Sequence, residues 1–287
     1  MLPIAMITGA LTYQWIGRLS FLTPYLIFTM LLLTFSKMSW KEIRFHPAHL
    51  WLLLIQLIGS LFIFLLIRPF NDVLAQGALL CLLMPTATAA AVITGMLGGN
   101  VGFLTAYMMF YNVVIAIAAP VFFTFIGTND EFSFWKSVWY ICRQIFPLLV
   151  FPLFIAASLR KWAPKVHQIL VRIPKLTFYL WGIALTIVTG ITVQFVLQNE
   201  SPDYSTEIGL AFIALILCCF QFFIGRFIGR RYNDPVSAGQ GLGQKNTILA
   251  IWMAQSFLYP IVSVAPAAYI LWQNIFNSYQ LWKKNKG

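Results

Sequence analysis

Charge is the scarcest property of this 287-residue chain: only 9% of its residues are charged, and Asp and Glu together number 8. A soluble domain carries about 25% charged residues. Most of this surface therefore does not face water, which excludes a soluble enzyme. Disorder is excluded as well, because a chain that is 60% hydrophobic has ample apolar surface to bury. Cysteine is sparse, and Cys81, Cys142, Cys218 and Cys219 lie in or beside apolar runs without a CxxC or a His–Cys cluster. That spacing supports neither a disulfide framework nor a zinc site, and the adjacent Cys218 and Cys219 read as small apolar packing. His46, His49 and His167 read as cytoplasmic loop residues and poor metal ligands. No carboxylate falls inside a long apolar run, and no paired acids or Ser/His/Asp set lies at that depth. A membrane enzyme is therefore disfavoured.

What the chain does have is apolar length. A helix crossing the hydrocarbon core needs about 20 apolar residues. Ten candidate runs fall between charged or Pro/Gly breaks: Leu2–Ile16, Leu22–Phe35, Leu50–Ile67, Val73–Leu97, Gly102–Ile126, Ile145–Leu159, Leu176–Leu197, Ile208–Phe227, Ala238–Phe257 and Tyr259–Trp282. The reading is an all-α integral membrane protein forming a single transmembrane domain over 1–287. The longest connections, near 127–137 and 160–175, leave no room for a soluble domain. A cleaved signal peptide is not expected, since Arg18 follows the first run and no basic residue precedes it.

The net charge of +11 then becomes a topology signal, because cytoplasmic loops carry the excess Lys and Arg. Fourteen basic residues fall on one side of a ten-span chain. They are Lys37, Lys41 and Arg44; Arg160, Lys161, Lys165, Arg172 and Lys175; Arg226, Arg230 and Arg231; and Lys283, Lys284 and Lys286. The other side holds Arg18, Arg68 and Lys136 with Asp72, Asp130, Glu131, Glu200, Asp203 and Glu207. Both termini are expected in the cytoplasm, the membrane is read as the inner one, and a nucleic-acid partner is not expected.

Two runs do not read as plain helices. The fourth contains Met84-Pro85-Thr86-Ala87-Thr88-Ala89-Ala90-Ala91, and the ninth contains Gly239-Gln240-Gly241-Leu242-Gly243-Gln244-Lys245-Asn246. Proline removes a backbone donor, glycine relaxes φ, and backbone freed in a membrane must find partners in protein or cavity water. Paired interruptions at equivalent places in two halves point to a transporter site near the midplane. Residues 1–127 and 128–287 each hold five runs, so the second half enters the membrane from the opposite side. Gln56 and Gln221 each precede a glycine in the third run of their half, and Asn112 and Asn274 lie in the last. The expectation is an inverted 5+5 repeat whose two broken helices cross.

These residues resemble the bile acid:sodium symporter superfamily along the whole chain, as a divergent bacterial-type member. The family's Pro-Gly-Gly-Thr-Ala-Ser-Asn-Val is similar to Pro85 through Val92, and its Gly-Asp-Val to Gly99-Asn100-Val101. Its Glu-Val-Gly-Met-Gln-Asn-x-x-Leu-Ala resembles Gly241 through Ala250, and its tenth-span Trp/His-Asn-x-x-Gly-Ser resembles Gln273 through Ser278. Gln56 looks like the family's third-span glutamine. The resemblance implies a core of spans three to five and eight to ten beside a panel of the others, with substrate bound at the crossing.

Sodium requires hard oxygen ligands, and here the family's ligand positions depart. The Ser-Asn pair aligns with Ala90 and Ala91, the bridging glutamate with Gly241 and the following glutamine with Lys245, while the fifth-span hydroxyl positions read Met109, Tyr111 and Asn112. An ammonium beside that pocket would repel sodium. A charge near the bilayer centre costs at least about 2.5–3.5 kcal/mol and marks a functional candidate. Lys245 is therefore expected to replace the sodium ion, bonding unwound carbonyls or pairing with an anionic substrate. A buried lysine able to release its proton would also couple transport to protons. The alternative for Lys245 is snorkelling to the interface.

Gln244, Asn246, Thr247, Thr86 and Thr88 flank the breaks, as substrate ligands or as caps. Gln56, Asn112, Gln221 and Asn274 join the candidates or act as interhelical glue. Arg143 and the Trp135, Trp139 and Tyr140 cluster read as interfacial anchors. The expected function is a sodium-independent secondary transporter of a small organic anion working by alternating access, with no cofactor and membrane lipid as its surroundings. A non-transporting receptor or scaffold is the alternative, favoured by a sealed apolar crossing. An arsenite-permease-like reading is disfavoured, because Cys81 precedes Pro85 rather than following it.

Overall fold

Apolar segments in lipid must satisfy their backbone internally, which selects helices. In the computed structural model, which describes residues 2–37, 44–87, 89–126, 134–198 and 204–286, every regular element is helical apart from one isolated bridge pairing Thr86 with Lys245. The chain begins with α1 (Leu2–Leu11), the short α2 (Tyr13–Ile16), a 3-10 stretch Gly17–Leu22 and α3 (Thr23–Ser36). Next come α4 (Pro47–Ile67), α5 (Asp72–Leu83), α6 (Ala90–Leu97) and α7 (Val101–Ile126). The remainder is α8 (Phe134–Trp162), α9 (Pro164–Arg172), α10 (Pro174–Gln198), α11 (Tyr204–Arg230), α12 (Pro235–Gly243), α13 (Thr247–Phe257) and α14 (Val264–Lys286). Both expected interruptions are present: helix stops after Leu83 and resumes at Ala90, and stops after Gly243 and resumes at Thr247.

Five helical stretches among the described residues are long and apolar enough to cross a membrane: Tyr13–Ser36, Pro47–Ile67, Val101–Ile126, Phe134–Trp162 and Tyr204–Arg230. The others fall short for identifiable reasons. α5, α6, α12 and α13 are halves of interrupted segments, and α14 is made too polar by Gln273, Asn274, Asn277 and Gln280. The break expected between Ile16 and Leu22 is instead filled by 3-10 turns that continue into α3. The connection near 160–175 is not bare loop but holds α9. Large apolar side chains remain exposed on long helices, as at Phe62 (65%) and Phe223 (68%), as expected of surfaces that face lipid. Trp135, Trp139, Tyr140 and Arg143 are exposed along the first turns of α8, where an interfacial belt was expected. Lys41, Asp130, Glu131, Glu200 and Asp203 of the charge count lie outside the described residues.

The helices gather into two units. The first holds residues 1–38, 116–202 and 251–261. In it α1 packs on α10, and α3 on α8 and α10. Small residues permit the closest approach: a Cβ at Gly9 would lie 2.3 Å from the Thr186 carbonyl oxygen, and one at Gly190 would lie 2.0 Å from Ile16 Cγ2. Phe123 stacks on Phe257 with centroids 5.9 Å apart, and Gln255 Nε2 donates to Thr192 Oγ1 at 3.3 Å.

The second unit holds residues 39–115, 203–250 and 262–287, and it contains both interruptions. Its helix starts follow from their caps. Asn71 accepts from Leu74 N–H at 3.0 Å ahead of α5, and Asp234 accepts from Ser237 N–H at 3.1 Å ahead of α12, where Pro235 opens the helix. Gly225 and Gly229, one turn apart on α11, let α12 approach to backbone contact: added Cβ atoms there would sit 2.5 Å from the Ala238 oxygen and 2.4 Å from the Asp234 oxygen. α6 ends on Gly98 with φ 79°, the left-handed conformation glycine supplies.

His46 and His49 correct the loop assignment. His46 caps α4, and His49 lies fully buried in its first turn, 4.2 Å between centroids from Phe103. His49 Nδ1 accepts the His46 N–H at 3.2 Å, which closes a capping box. His167 lies on α9.

Candidate functional site

The site is assembled where the two interrupted segments meet, inside the second unit. Each break leaves the last carbonyls of a helix without intrahelical partners, and buried backbone groups need partners. The two extended strands supply part of the answer to each other. Ala87 N–H donates to the Gln244 carbonyl at 2.9 Å, and Asn246 N–H donates to the Pro85 carbonyl at 2.8 Å. Thr86 and Lys245 sit opposite each other between these bonds.

Side chains complete the pairing. Thr86 Oγ1 donates to the Gly241 carbonyl at 2.6 Å, and Lys245 Nζ donates to the Leu82 carbonyl at 2.7 Å and the Met84 carbonyl at 3.0 Å. Gly241 lies four residues before Lys245, and Leu82 lies four residues before Thr86, so each bridge residue reaches back to the end of the opposite helix. Lys245 is 2% exposed, and its ammonium is directed into protein. An ammonium at a helix C-terminus also meets the negative end of the helix dipole. Nearby carbonyls are met by other donors: Gln221 Nε2 reaches the Cys81 oxygen at 3.1 Å, and Tyr111 Oη donates to the Leu83 oxygen. On the α12 side Tyr269 Oη donates to the Gly243 oxygen at 2.8 Å, and Gln273 Oε1 accepts Lys245 N–H at 2.9 Å.

Of the residues expected at the site, Lys245, Gln244, Asn246, Thr247, Thr86 and Gly241 come together here. Asn246 Oδ1 accepts from Leu249 N–H at 3.3 Å and so caps α13, while Gln244 Oε1 is buried without a hydrogen-bond partner. Thr247 is buried at the start of α13. Gln56 joins through Tyr107, whose hydroxyl donates to Gln56 Oε1 and whose ring stands against Gly241: a Cβ there would lie 3.1 Å from Tyr107 Cδ1. Asn112 and Asn274 bond elsewhere. Each turns its amide back onto its own helix, to the Met108 and Ile270 carbonyls, both at 2.6 Å. Thr88 lies outside the described residues.

Sequence reasoning passed over Tyr107, Tyr269 and Gln273 as site residues. A tyrosine buried in an apolar helix needs a partner for its hydroxyl, and the 269/273 and 107/111 spacings of four put each pair on one helix face. Gln221 and Tyr269 repeat the arrangement of Gln56 and Tyr107, with Gln221 Nε2 donating to Tyr269 Oη at 2.9 Å. Gln240 Nε2 donates to Asn277 Oδ1 at 2.9 Å, tying α12 to α14. The described residues contain no cluster of His, Cys, Asp or Glu able to hold a metal.

Apolar helices of spanning length, together with a buried polar junction of interrupted segments, define a multi-pass membrane protein of the transport class. The family model of the sodium bile acid symporter family matches residues 23–199, more than half of the chain. The chain belongs to that family, one of transporters rather than enzymes. The match ends before the second interruption, so Lys245 lies beyond it. No curated protein matches the chain.

Proposed function

We propose that this protein is a sodium-independent secondary transporter of a small organic anion, working by alternating access, in which the Lys245 ammonium takes the place of a sodium ion. The observation that carries this reading is the pair of bonds from Lys245 Nζ to the Leu82 and Met84 carbonyls in a buried site. Carbonyl oxygens are the ligands a hard cation uses, and here an ammonium occupies two of them. The nearby starts of α6 and α13 offer helix N-termini, which favour an anionic group. Thr86, Thr88, Gln244, Asn246 and Thr247 then flank the substrate, with Gln56 and Gly241 beside it and Asn112 and Asn274 further along their helices.

The architecture proposed with it is ten spans in an inverted 5+5 repeat, residues 1–127 and 128–287, with both termini in the cytoplasm and the broken helices crossing near the midplane of the inner membrane. The equivalence of the bonds about the Thr86–Lys245 bridge supports the repeat. Spans three, four, eight and ten, with parts of five and nine, make up the second unit, which fits a moving core.

The test is uptake of candidate carboxylates and sulfonates into proteoliposomes with sodium replaced by choline. Uptake should be unchanged, and a strict sodium requirement refutes the reading. Where Lys245 also carries protons, an imposed pH gradient drives uptake and Lys245→Met removes that drive. A non-transporting receptor or scaffold is the second reading, and the near-complete burial of Lys245 favours it. Unpartnered buried polar atoms at Gln244 Oε1 and Gln56 Nε2 favour the transporter, because the junction is polar rather than sealed by apolar packing.

A further inference from the structure

Away from the Lys245 junction, the second unit carries a cavity of about 280 Å³ between the end of α6, α11, the start of α12 and the last turns of α14. Its polar lining is Arg226, Tyr279, Gln280, Lys283 and Lys284, and its apolar lining includes Leu97 and Phe276. No carboxylate lines it, and among the described residues Arg226, Lys283 and Lys284 make no ion pair. A guanidinium terminal nitrogen of Arg226 donates to Gln280 Oε1, which fixes the orientation of that amide. Arg226 Nε and Gln280 Nε2 are both buried without an acceptor. Lys284 donates to the Met96 carbonyl at 2.9 Å, while the side chains of Lys283 and Lys284 stand exposed at the rim.

The imbalance is one-sided: three cationic groups converge, and the buried polar atoms without partners are both donors. A buried donor left unpaired is costly, so the missing component is an acceptor, and the positive charge makes it an anion. The volume lies just below the range of about 300–1,000 Å³ that holds a whole drug-sized ligand, which suits a headgroup better. Leu97 and Phe276 offer the beginning of an apolar path beside it.

We propose that this cavity binds the anionic head of an amphiphile, a phosphate or carboxylate joined to an apolar chain, at a site separate from the Lys245 junction and independent of the transport reading. Arg226 and Gln280 donate to the head group from within, and Lys283 and Lys284 close over it electrostatically. Basic pockets between membrane helices recognise acidic lipid heads by this chemistry. The same chemistry would accept a free phosphate.

The experiment is native mass spectrometry and thermal-shift titration of the purified full chain in neutral detergent. The probes are phosphatidylglycerol, phosphatidylcholine and inorganic phosphate. Phosphatidylglycerol should remain bound and raise the melting temperature, phosphatidylcholine should not, and added salt should weaken the effect. Arg226→Gln should reduce the affinity at least about tenfold. Lys283→Gln with Lys284→Gln, two rim changes that give up only the Lys284 bond to the Met96 carbonyl, should weaken it as well. An equal response to inorganic phosphate supports the anion site and assigns its ligand to a soluble source; a response to the lipid alone assigns it to the bilayer. Equal binding of the two lipids, no binding of either anion, or undiminished affinity in the rim variant overturns the proposal.

Discussion

Replacing Lys245 by methionine removes the ammonium while keeping most of the side-chain volume, so it isolates the charge from the packing. Two opposing quantities set the outcome. The bonds to the Leu82 and Met84 carbonyls are hydrogen bonds from a charged group, each worth about 1.5–3 kcal/mol, so their loss removes about 3–6 kcal/mol. Releasing an ammonium from membrane depth returns about 2.5–3.5 kcal/mol. The net loss is then small, about 0–3 kcal/mol, and Lys245→Met should fold. Lys245→Ala should lose a further 2–5 kcal/mol, roughly the cost of truncating a buried long side chain to alanine. Unfolding of both variants in mixed micelles measures these differences, and uptake in proteoliposomes measures function. The tie between the two broken segments, about 3–6 kcal/mol by these figures, exceeds the roughly 1.4 kcal/mol of a tenfold change, so its loss should lower uptake at least about tenfold in both variants. Wild-type uptake by Lys245→Met refutes the role given to the ammonium. Equal destabilisation by Met and Ala refutes the energetic reasoning.

Three further changes probe the frame around that residue. Gly225→Ala places a Cβ 2.5 Å from the Ala238 oxygen and 2.9 Å from Gly239 Cα; both are backbone, so a loss of about 1–3 kcal/mol or more is expected, read as a lowered melting temperature. Tyr107→Phe leaves Gln56 Oε1 without its donor, and the cost should be about 1–3 kcal/mol by the same unfolding measurement, with an unchanged value refuting the bond. Gly241→Glu must insert a carboxylate against the Tyr107 ring, which a Cβ alone would approach at 3.1 Å. It should fail to confer sodium-dependent uptake singly, and sodium dependence in this variant alone would show that Tyr107 does not fill the space.

The interruptions were legible in the sequence because proline and alternating glycines announce broken helices, and the depth of Lys245 was legible because so few charges lie in the apolar runs. What the ammonium touches was not legible. Its partners are carbonyls of Leu82 and Met84, backbone groups that carry no side-chain signal, made available only because α5 stops at Leu83. Asn112 and Asn274 show the converse. Their equivalent places in two halves point to a repeat and leave site or interhelical glue as their roles, yet a side-chain amide can bond the carbonyl one turn back in its own helix as readily as a neighbour. His49 was hidden by a helix that starts at Pro47, three residues before the apolar run begins.

The two halves of the junction do not solve the same problem in the same way. On the α12 end, the Gly241 carbonyl is met by the Thr86 hydroxyl and the Gly243 carbonyl by the Tyr269 hydroxyl. On the α5 end, the corresponding Leu82 and Met84 carbonyls are both met by Lys245 Nζ. A hydroxyl has one proton to donate and an ammonium three, so one lysine does the work of a threonine and a tyrosine together. Tyr107, the counterpart of Tyr269 in pairing with a glutamine, is thereby released from the helix end and stands against Gly241 instead. The lysine, the glycine and the tyrosine are thus linked through one junction. On the proposed reading the Lys245 ammonium stands where a cation would use those two carbonyls, and Gly241 leaves room for the Tyr107 ring. A test of that reading by building an ion site here would therefore change all three residues together.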